Sequence, residues 1–338
     1  MIPLLRPSVT QAEIDAVTDV LKSGWWGQGR VVEQFETELA ARYNYAHCIT
    51  TNSATAALHL ALKACGVGPG YTVALPALTF ISTALAVTYC GATPVFCDVR
   101  EDTLTMDWET GADVSMPVDY AGYPAMDRGM WGPIVQDAAH SCGGIGYGYC
   151  VCLSFHPVKN LATGDGGAVL TNDDKIARRI RALRWCGIDR STWDRSQKRY
   201  SWDYDISEVG YKYHWNDIQA AIGLAQLRRL DEINAERRRL AMRYSSLLKG
   251  VQLPIDHAIH TWHLYAIRVD RRDDLIDRLA EKGIGAGVHY KPLTYYSMYR
   301  GETPPVTERE WRRLVSLPLY VGLTEQEQDR VIDVVNHA

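Results

Sequence analysis

The 338-residue sequence predicts an α/β fold: a large domain with a mostly parallel, mixed sheet between helices, and a smaller C-terminal α/β domain. Short apolar runs alternate with helical patterns between about residues 47 and 171, which is typical of a parallel sheet covered by helices. A long helical stretch rich in Arg and Leu follows at about 215–248, and the alternation then resumes on a smaller scale. We therefore expect the large domain to comprise residues 1–248 and the smaller domain residues 249–338.

The first elements follow from capping patterns and apolar spacing. Thr10 and Glu13 have the spacing of a capping box, and Gly24 is a residue at which helices typically end. Together these residues predict a first helix. Residues 31–43 have helical spacing, and a strand is expected near 47–51. Two helices should therefore precede the first strand.

The remaining elements alternate along the chain. In the large domain we expect helices in SATAALHLALKAC and TFISTALAVTYC and strands in TVALP, TPVFCDV, CVCLSF and GGAVLTND. PVDYAG and GPIVQDAAH each predict a strand that runs into a turn. In the smaller domain we expect a strand in LYAIRV, a helix in DDLIDRLAEKG, a strand in GAGVHY and a terminal helix after Thr324.

Composition excludes several classes of protein. The net charge of -4 and the pI of about 6.2 argue against nucleic acid as a partner. The chain has no apolar run long enough to span a membrane and no secretory h-region, so we expect neither a membrane partner nor export. The eight cysteines form no CxxC pair, which argues against a metal site and favours reduced thiols in the cytoplasm.

Polar groups follow several predicted strands at the edge where ligands bind in open α/β sheets. Asp137 follows the apolar run PIVQ, and Lys159 follows CLSFHPV and precedes the turn ATGDGG. Ser53 and Thr55 follow a short strand and open a helix. We therefore expect a ligand site at this edge, although each residue alone could be an exposed lysine or a helix cap.

These groups suit the chemistry of pyridoxal phosphate (PLP). A lysine amine can hold PLP as a Schiff base, and a carboxylate can keep its pyridine nitrogen protonated. A helix N-terminus with hydroxyl groups can hold its phosphate. Phe80 begins a helix near the same edge and could stack on the ring, although core packing is its ordinary role. The sequence lacks GxGxxG after its first strand and lacks GxxxxGK[ST], so a dinucleotide or ATP site has little support.

The amino-acid sequences of these segments resemble those of the DegT-type sugar aminotransferases, a branch of the fold-type I PLP enzymes. The resemblance runs from SGWWGQG to SLPLYVGLTEQEQ, and its most specific motifs are NSATAALHLAL, PALTFISTALAV, GATPVFCDV, DYAGYPA, QDAAH, SFHPVKNLATGDGG and GYKYHWNDIQAAIGLAQLRRLDEI. The motifs SATAALHL, YAG and SFHPVKN look most like aminotransferases that act at sugar C4, including those of the pseudaminic-acid and aminoarabinose pathways.

The resemblance implies roles for individual residues. Lys159 would be the Schiff-base lysine and Asp137 the partner of the pyridine nitrogen. Further cofactor contacts would come from His140, Ser53, Ala54, Thr55, Phe80 and Ser154. His289 and Tyr290 match an HY motif near the substrate. Apart from the resemblance, the adjacent Trp25 and Trp26 are candidates for the mouth of the site, although interface or core packing is the more ordinary role in a chain with ten tryptophans.

The resemblance also implies a homodimer with shared active sites. Lys212 of the partner subunit would reach the phosphate. The family pattern has Asn at that position and Arg two residues later, whereas this chain has Lys212 and His214.

The implied reaction moves an amino group from L-glutamate to a nucleotide-linked keto sugar, with a 4-keto hexose as the expected acceptor. Two alternatives stay open: an aminotransferase that acts on a non-sugar ketone, and a regulatory or binding protein that keeps the fold without turnover. A sugar dehydratase with His in place of the lysine is disfavoured by Lys159. The segments between YAG and QDAAH and between AAH and SFHP are shorter than in the family pattern, which could alter substrate access.

Two other groups have ordinary interpretations. His257, His260 and His263 are spaced by three, but a strand follows directly, so we expect His260 to be structural or substrate-facing and His263 to be strand-borne rather than metal-binding. The arginines at 237–239 are expected to form a solvated helix face or a subunit contact.

Overall fold

The structure of the protein is a computed structural model that describes residues 1–107, 111–126, 132–188, 202, 204–206 and 208–337. Its first helix, α1 (Gln11–Ser23), begins with the capping box of Thr10 and Glu13. The helix ends at Gly24, whose φ of 74° lies in the left-handed region that glycine adopts without steric cost. Helix α2 spans Arg30–Tyr43. Both helices confirm the prediction.

The large domain is built on a mixed, mostly parallel sheet. Strands β3, β2 and β4 form one run and β1, β7, β6 and β5 the other. Parallel bridges from Ser115 to Ile134 and from Val118 to Asp137 connect the two runs. Among the described residues β7 runs antiparallel to β1 and β6, and the other pairs of this sheet are parallel. The strands are β1 (His47–Thr51), β2 (Thr72–Pro76), β3 (Thr93–Cys97), β4 (Val114–Ser115), β5 (Val135–Asp137), β6 (Cys150–Ser154) and β7 (Gly167–Thr171).

Helices cover both faces of this sheet. They are α3 (Ala54–Ala64), α4 (Ile81–Tyr89), α5 (Asp174–Leu183), α6 (Asp217–Arg228) and α7 (Leu230–Leu247). Successive side chains of a strand point to opposite faces, and β6 shows this directly. Cys150 and Cys152 lie in the core beneath α3, whereas Val151 and Leu153 lie in the core beneath α2 and α6. The strand is therefore buried on both faces, as a covered sheet requires.

The C-terminal elements enclose a separate apolar core. They are β8 (Tyr265–Arg268), α8 (Arg272–Glu281), α9 (Pro305–Trp311), β9 (Leu314–Leu317) and α10 (Glu325–Asn336), with short 3₁₀ turns at Leu293–Tyr295 and Ser297–Tyr299. Strands β8 and β9 pair antiparallel. Tyr244 of α7 packs in this core beside Tyr265 and Val331. The domain boundary between residues 248 and 249 stays a prediction.

Two predictions of secondary structure were wrong, and a third was confirmed only for its turn. The long helix is broken at Arg229, whose guanidinium instead donates to Glu13 in α1 at 2.8 Å. GAGVHY forms no strand, because Gly285 bonds to the backbone of Ile2 and Gly287 forms a single bridge with Ser316. PVDYAG contributes one bridge and then a 3₁₀ turn at Tyr120–Gly122, while the paired residues of β4 lie upstream of it. Helix α5 and strand β9 were not predicted.

No helix in the described ranges combines the length and the apolar character needed to cross a membrane.

Asp217 of α6 caps the N-terminus of α2. Its buried carboxylate accepts hydrogen bonds from the backbone N–H groups of Gly29 at 2.8 Å and Val32 at 3.1 Å. Asp217→Ala leaves these donors unpaired, so we expect the free energy of unfolding, measured by urea denaturation, to fall by about 2 kcal/mol. Asp231→Ala, which removes an exposed ion pair with Arg42, is the control and should cost less than about 0.5 kcal/mol. Equal losses in both variants would contradict the capping role.

Candidate active site

A cavity of about 360 Å³ lies at the carboxyl edge of the sheet, within the size range of small-molecule sites. Strands β1, β5 and β6 end there, and the first turns of α3 and α4 close its sides. Ten of the twelve residues predicted for the site line this cavity: Ser53, Ala54, Thr55, Phe80, Asp137, His140, Ser154, Lys159, His289 and Tyr290. The topology therefore brings together residues that lie far apart in the sequence.

Lys159 lies in the turn after β6, and its side chain is half-buried against the cavity. Its Nζ is 3.3 Å from Nε2 of His263. Burial lowers the pKa of Lys159 to about 7, an effect that the Asp137 carboxylate opposes and the Arg237 guanidinium reinforces. A large fraction of the amine is therefore uncharged at neutral pH, which a nucleophile or a general base requires.

Asp137 is the last residue of β5 and is buried. Its carboxylate accepts a hydrogen bond from the hydroxyl of Thr83 at 2.8 Å and one from the N–H of Ala139 at 3.2 Å. Burial raises the pKa of Asp137, and these two hydrogen bonds together with Lys159 oppose the rise. The carboxylate is thus oriented by protein donors while it faces a cavity that could hold a cationic partner.

His140 and Tyr290 form a hydrogen-bonded wall of the cavity. The N–H of Ala121 lies 3.3 Å from Nδ1 of His140, and the hydroxyl of Tyr290 lies 2.9 Å from its Nε2. Burial lowers the pKa of His140, so its ring is neutral. Because Nδ1 accepts a hydrogen bond, the proton lies on Nε2 and is donated to Tyr290. The Tyr290 ring also lies 5.7 Å from that of Phe80, which is half exposed at the mouth.

The first turn of α3 forms the opposite end of the cavity. Ser53 caps the helix by accepting a hydrogen bond from the N–H of Ala56, and the Thr55 hydroxyl donates to that of Ser82 at 2.8 Å. A Cβ on Gly167 would come within 2.6 Å of the Ala54 nitrogen, so β7 packs tightly against this turn. Such a helix N-terminus is suited to hold a phosphate.

Two predicted residues do not line the cavity of their own chain. The Lys212 amine lies 3.5 Å from the centre of the Trp185 indole ring. Trp26 is half exposed, and its indole N–H donates to the carbonyl of Leu21 at 3.2 Å. Their contacts with cofactor and substrate stay predictions.

The prediction that the arginines at 237–239 are solvated was wrong for Arg237. This residue is 3% exposed, and its guanidinium donates to the carbonyls of Trp262, His263 and Leu319. Buried residues of α7 recur at Ile233, Arg237, Leu240 and Tyr244, so the helical spacing contained a signal of burial that the charge obscured.

Comparison with known proteins shows several similarities. The profile of the DegT/DnrJ/EryC1/StrS aminotransferase family matches residues 7–336. The spore coat polysaccharide biosynthesis protein SpsC of Bacillus subtilis (strain 168) is 37% identical over 377 aligned positions, which cover 99% of this chain and 96% of SpsC. The PMP form of the putative sugar aminotransferase Spr1654 from Streptococcus pneumoniae has a TM-score of 0.91 at 29% identity, with 100% and 98% of the chains covered. The structure of S. venezuelae DesV in complex with a ketimine intermediate has a TM-score of 0.85 at 35% identity, with 96% and 93% covered.

The alignment with SpsC is longer than the chain itself, 377 positions against 338 residues, so it contains gaps in this chain. That agrees with the expectation of shortened segments.

The lining of the cavity fits pyridoxal phosphate, and a second structure of Spr1654 is of its PLP form. Lys159 offers an uncharged amine, Asp137 a buried carboxylate and the first turn of α3 a phosphate cradle, which are the groups that PLP requires. Within the described residues no group of three His, Cys, Asp or Glu side chains is arranged to hold a metal ion.

Thr83→Val should weaken the binding of PLP by about three- to ten-fold, because Asp137 loses a hydrogen bond that favours its charged form. The dissociation constant is measured by titrating the apoprotein with PLP. Thr88→Val on the same helix, whose hydroxyl donates to the carbonyl of Ala84, is the matched control and should bind like the wild type. Unchanged affinity in Thr83→Val would show that this hydroxyl does not support Asp137.

Proposed function

Because the chain belongs to the DegT/DnrJ/EryC1/StrS aminotransferase family, we propose that it transfers an amino group from L-glutamate to a nucleotide-linked keto sugar, with a 4-keto hexose as acceptor. The chain is a PLP-dependent aminotransferase. One observation carries the proposed site: a single cavity joins an amine whose pKa is lowered to about 7 to a buried, hydrogen-bonded carboxylate.

The choice of a sugar acceptor is supported by the names of the relatives, which include a polysaccharide biosynthesis protein and a putative sugar aminotransferase. The nucleotide link and the 4-keto position are supported by the motifs SATAALHL and SFHPVKN, which resemble C4 aminotransferases. Glutamate as donor comes from the same resemblance.

PLP, when bound, supplies an electron-accepting ring and carries the amino group between the two substrates. Lys159 is the residue that would be bonded to it at rest. The free Lys159 amine would act as the general base toward the α-carbon proton of the donor. Burial lowers the pKa of Lys159 to about 7, so a substantial fraction of the free amine is uncharged at neutral pH and can accept this proton.

The other residues would hold and orient the cofactor and the substrate. Asp137 would contact the pyridine nitrogen and favour its protonated form, without itself transferring a proton. The first turn of α3 and Ser154 would hold the phosphate, and Phe80 would lie against the ring. His289, whose Nδ1 lies 2.8 Å from the Ser316 hydroxyl, and Tyr290 would contact the sugar substrate, with Trp26 nearer the mouth.

The proposal is tested by the absorption spectrum. We expect the purified protein to be yellow and the visible band to disappear on addition of L-glutamate, because the amino group moves to the cofactor. Lys159→Ala should abolish turnover while its circular dichroism stays unchanged. Lys22→Ala, which removes an exposed lysine of α1, is the control and should behave like the wild type. A wild-type protein that stays colourless in excess PLP, or substantial turnover by Lys159→Ala, would overturn the assignment.

A homodimer with shared active sites is part of the proposal. We expect Lys212→Ala to lose most activity, because Lys212 of the partner subunit would contact the phosphate. Mixed after dissociation and reassociation with Lys159→Ala, it should regain about a quarter of wild-type turnover, since half the dimers are mixed and each has one complete site. Mixtures with no more activity than either parent would show that each chain builds its own site.

A cytoplasmic location is supported by the chemistry of the cysteines. All eight are free thiols, and six of them are buried. Unpaired thiols persist in a reducing compartment.

A further inference from the structure

The Lys159 amine lies within hydrogen-bond distance of Nε2 of His263. This contact has no role in the proposed reaction. We propose that His263 is a positioning residue: its imidazole donates a hydrogen bond to the free Lys159 amine and holds it uncharged at the floor of the cavity whenever that amine is not bonded to the cofactor. The inference rests on the proposed role of Lys159.

The backbone around His263 is fixed from two sides. The N–H of Thr261 donates to the carbonyl of Gly122 at 3.0 Å, and the N–H of Leu264 donates to that of Ala121 at 3.1 Å. The approach to Gly122 is so close that a Cβ there would lie 2.5 Å from the Thr261 hydroxyl. The chain is therefore held against the same turn that donates to His140.

Arg237 fixes the other side. Its guanidinium donates to the carbonyl of His263 at 3.1 Å and to the flanking carbonyl of Trp262 at 3.2 Å. The His263 ring itself lies 4.4 Å from the His140 ring, between centroids. Because the backbone and the ring are both packed, the position of Nε2 below Lys159 is set by the fold rather than by a flexible side chain.

The position of the proton on the His263 ring determines whether His263 or Lys159 donates the hydrogen bond. His263 is 1% exposed, and burial lowers its pKa, so the ring is neutral and has one N–H. In the part of the chain that the structure describes, Nδ1 has no hydrogen-bond partner. An unpaired buried N–H is rarer than an unpaired acceptor, so the proton belongs on Nε2. Nε2 then donates to the lone pair of the amine, which only the uncharged amine offers.

The groups around the Lys159 amine act on its charge in opposing directions. Asp137 favours the charged amine, whereas burial and Arg237 disfavour it. The histidines near the amine have pKa values lowered chiefly by burial, so they add little positive charge; they are His156 in its own turn and His140, His263 and His289. Tyr290 lines the same cavity as a neutral phenol. Loss of the His263 donor should therefore let the charged amine persist to higher pH.

The test is the rate at which the full-length apoprotein captures PLP, followed by the visible band from about pH 6 to 10. Only the uncharged amine attacks the aldehyde, so the wild-type rate should rise with a midpoint near pH 7. A hydrogen bond of ordinary strength corresponds to about one pKa unit. His263→Phe, which keeps a ring but lacks a donor, should thus be about five-fold slower at pH 7 and equal to the wild type near pH 10.

Two further variants separate positioning from packing. His263→Gln keeps an N–H donor and should restore the wild-type midpoint. His260→Phe changes an equally buried ring in the same segment, one that stacks on Trp262 at 3.9 Å, and should leave the midpoint unchanged. If His263→Phe does not fold, as judged by circular dichroism, His263→Met replaces it with the same expectation.

The outcomes are distinct. A midpoint that stays near pH 7 in His263→Phe, or a rate reduced equally at every pH, would overturn the inference and leave His263 as a packing residue. A lower midpoint would show that His263 accepts from the charged amine instead. A wild-type apoprotein that captures no PLP would overturn the proposed function of Lys159 rather than the role of His263.

Discussion

The site depends on one pairing in the sheet, that of residues 117–119 with Asp137. The N–H of Asp137 donates to the carbonyl of Pro117 at 2.9 Å, and the N–H of Asp119 donates to the carbonyl of Asp137 at 3.0 Å. This pairing joins the two runs of strands, so it determines where β5 ends relative to β2. Without it the carboxylate of Asp137 and the first turn of α4, which supplies Thr83, would not meet. The register of the sheet therefore determines the geometry of the site.

A buried network below this pairing explains how short segments can support the site. Asp119 accepts hydrogen bonds from the amide of Gln136 at 2.8 Å and the N–H of Ala125 at 2.9 Å, and from the hydroxyl of Ser141. Gln136 in turn accepts from the N–H of Tyr147 at 3.0 Å. The side chains of Asp119 and Gln136 therefore hold Ala125, which follows Gly122, and Tyr147, which precedes β6. Burial raises the pKa of Asp119 to about 7, which is the electrostatic cost of placing a carboxyl at this junction.

Much of the cavity could be predicted because its residues follow strands directly. Ser53, Asp137 and Lys159 stand next to apolar runs, and parallel strands bring their carboxyl ends to one edge whatever the details of packing. Arg237 and His263 could not be predicted in this way. Their positions depend on two contacts of the chain before β8: Arg237 of α7 donates to its carbonyls, and Thr261 packs against Gly122, which lies more than 100 positions away. The break at Arg229 escaped the same reasoning, since a pairing with Glu13 is not visible in local periodicity.

The free-energy cost of burying these polar groups favours a catalytic role over a packing role. A lysine amine at a cavity floor, a buried guanidinium whose described partners are carbonyls, and neutral histidines each lose solvation on folding. Apolar side chains of similar volume would fill the same space at lower cost. A protein that only bound a ligand would have no need for an amine kept uncharged at neutral pH. A reaction in which that amine must repeatedly attack, leave and accept a proton has this need, so the combination is better explained by turnover than by a retained fold.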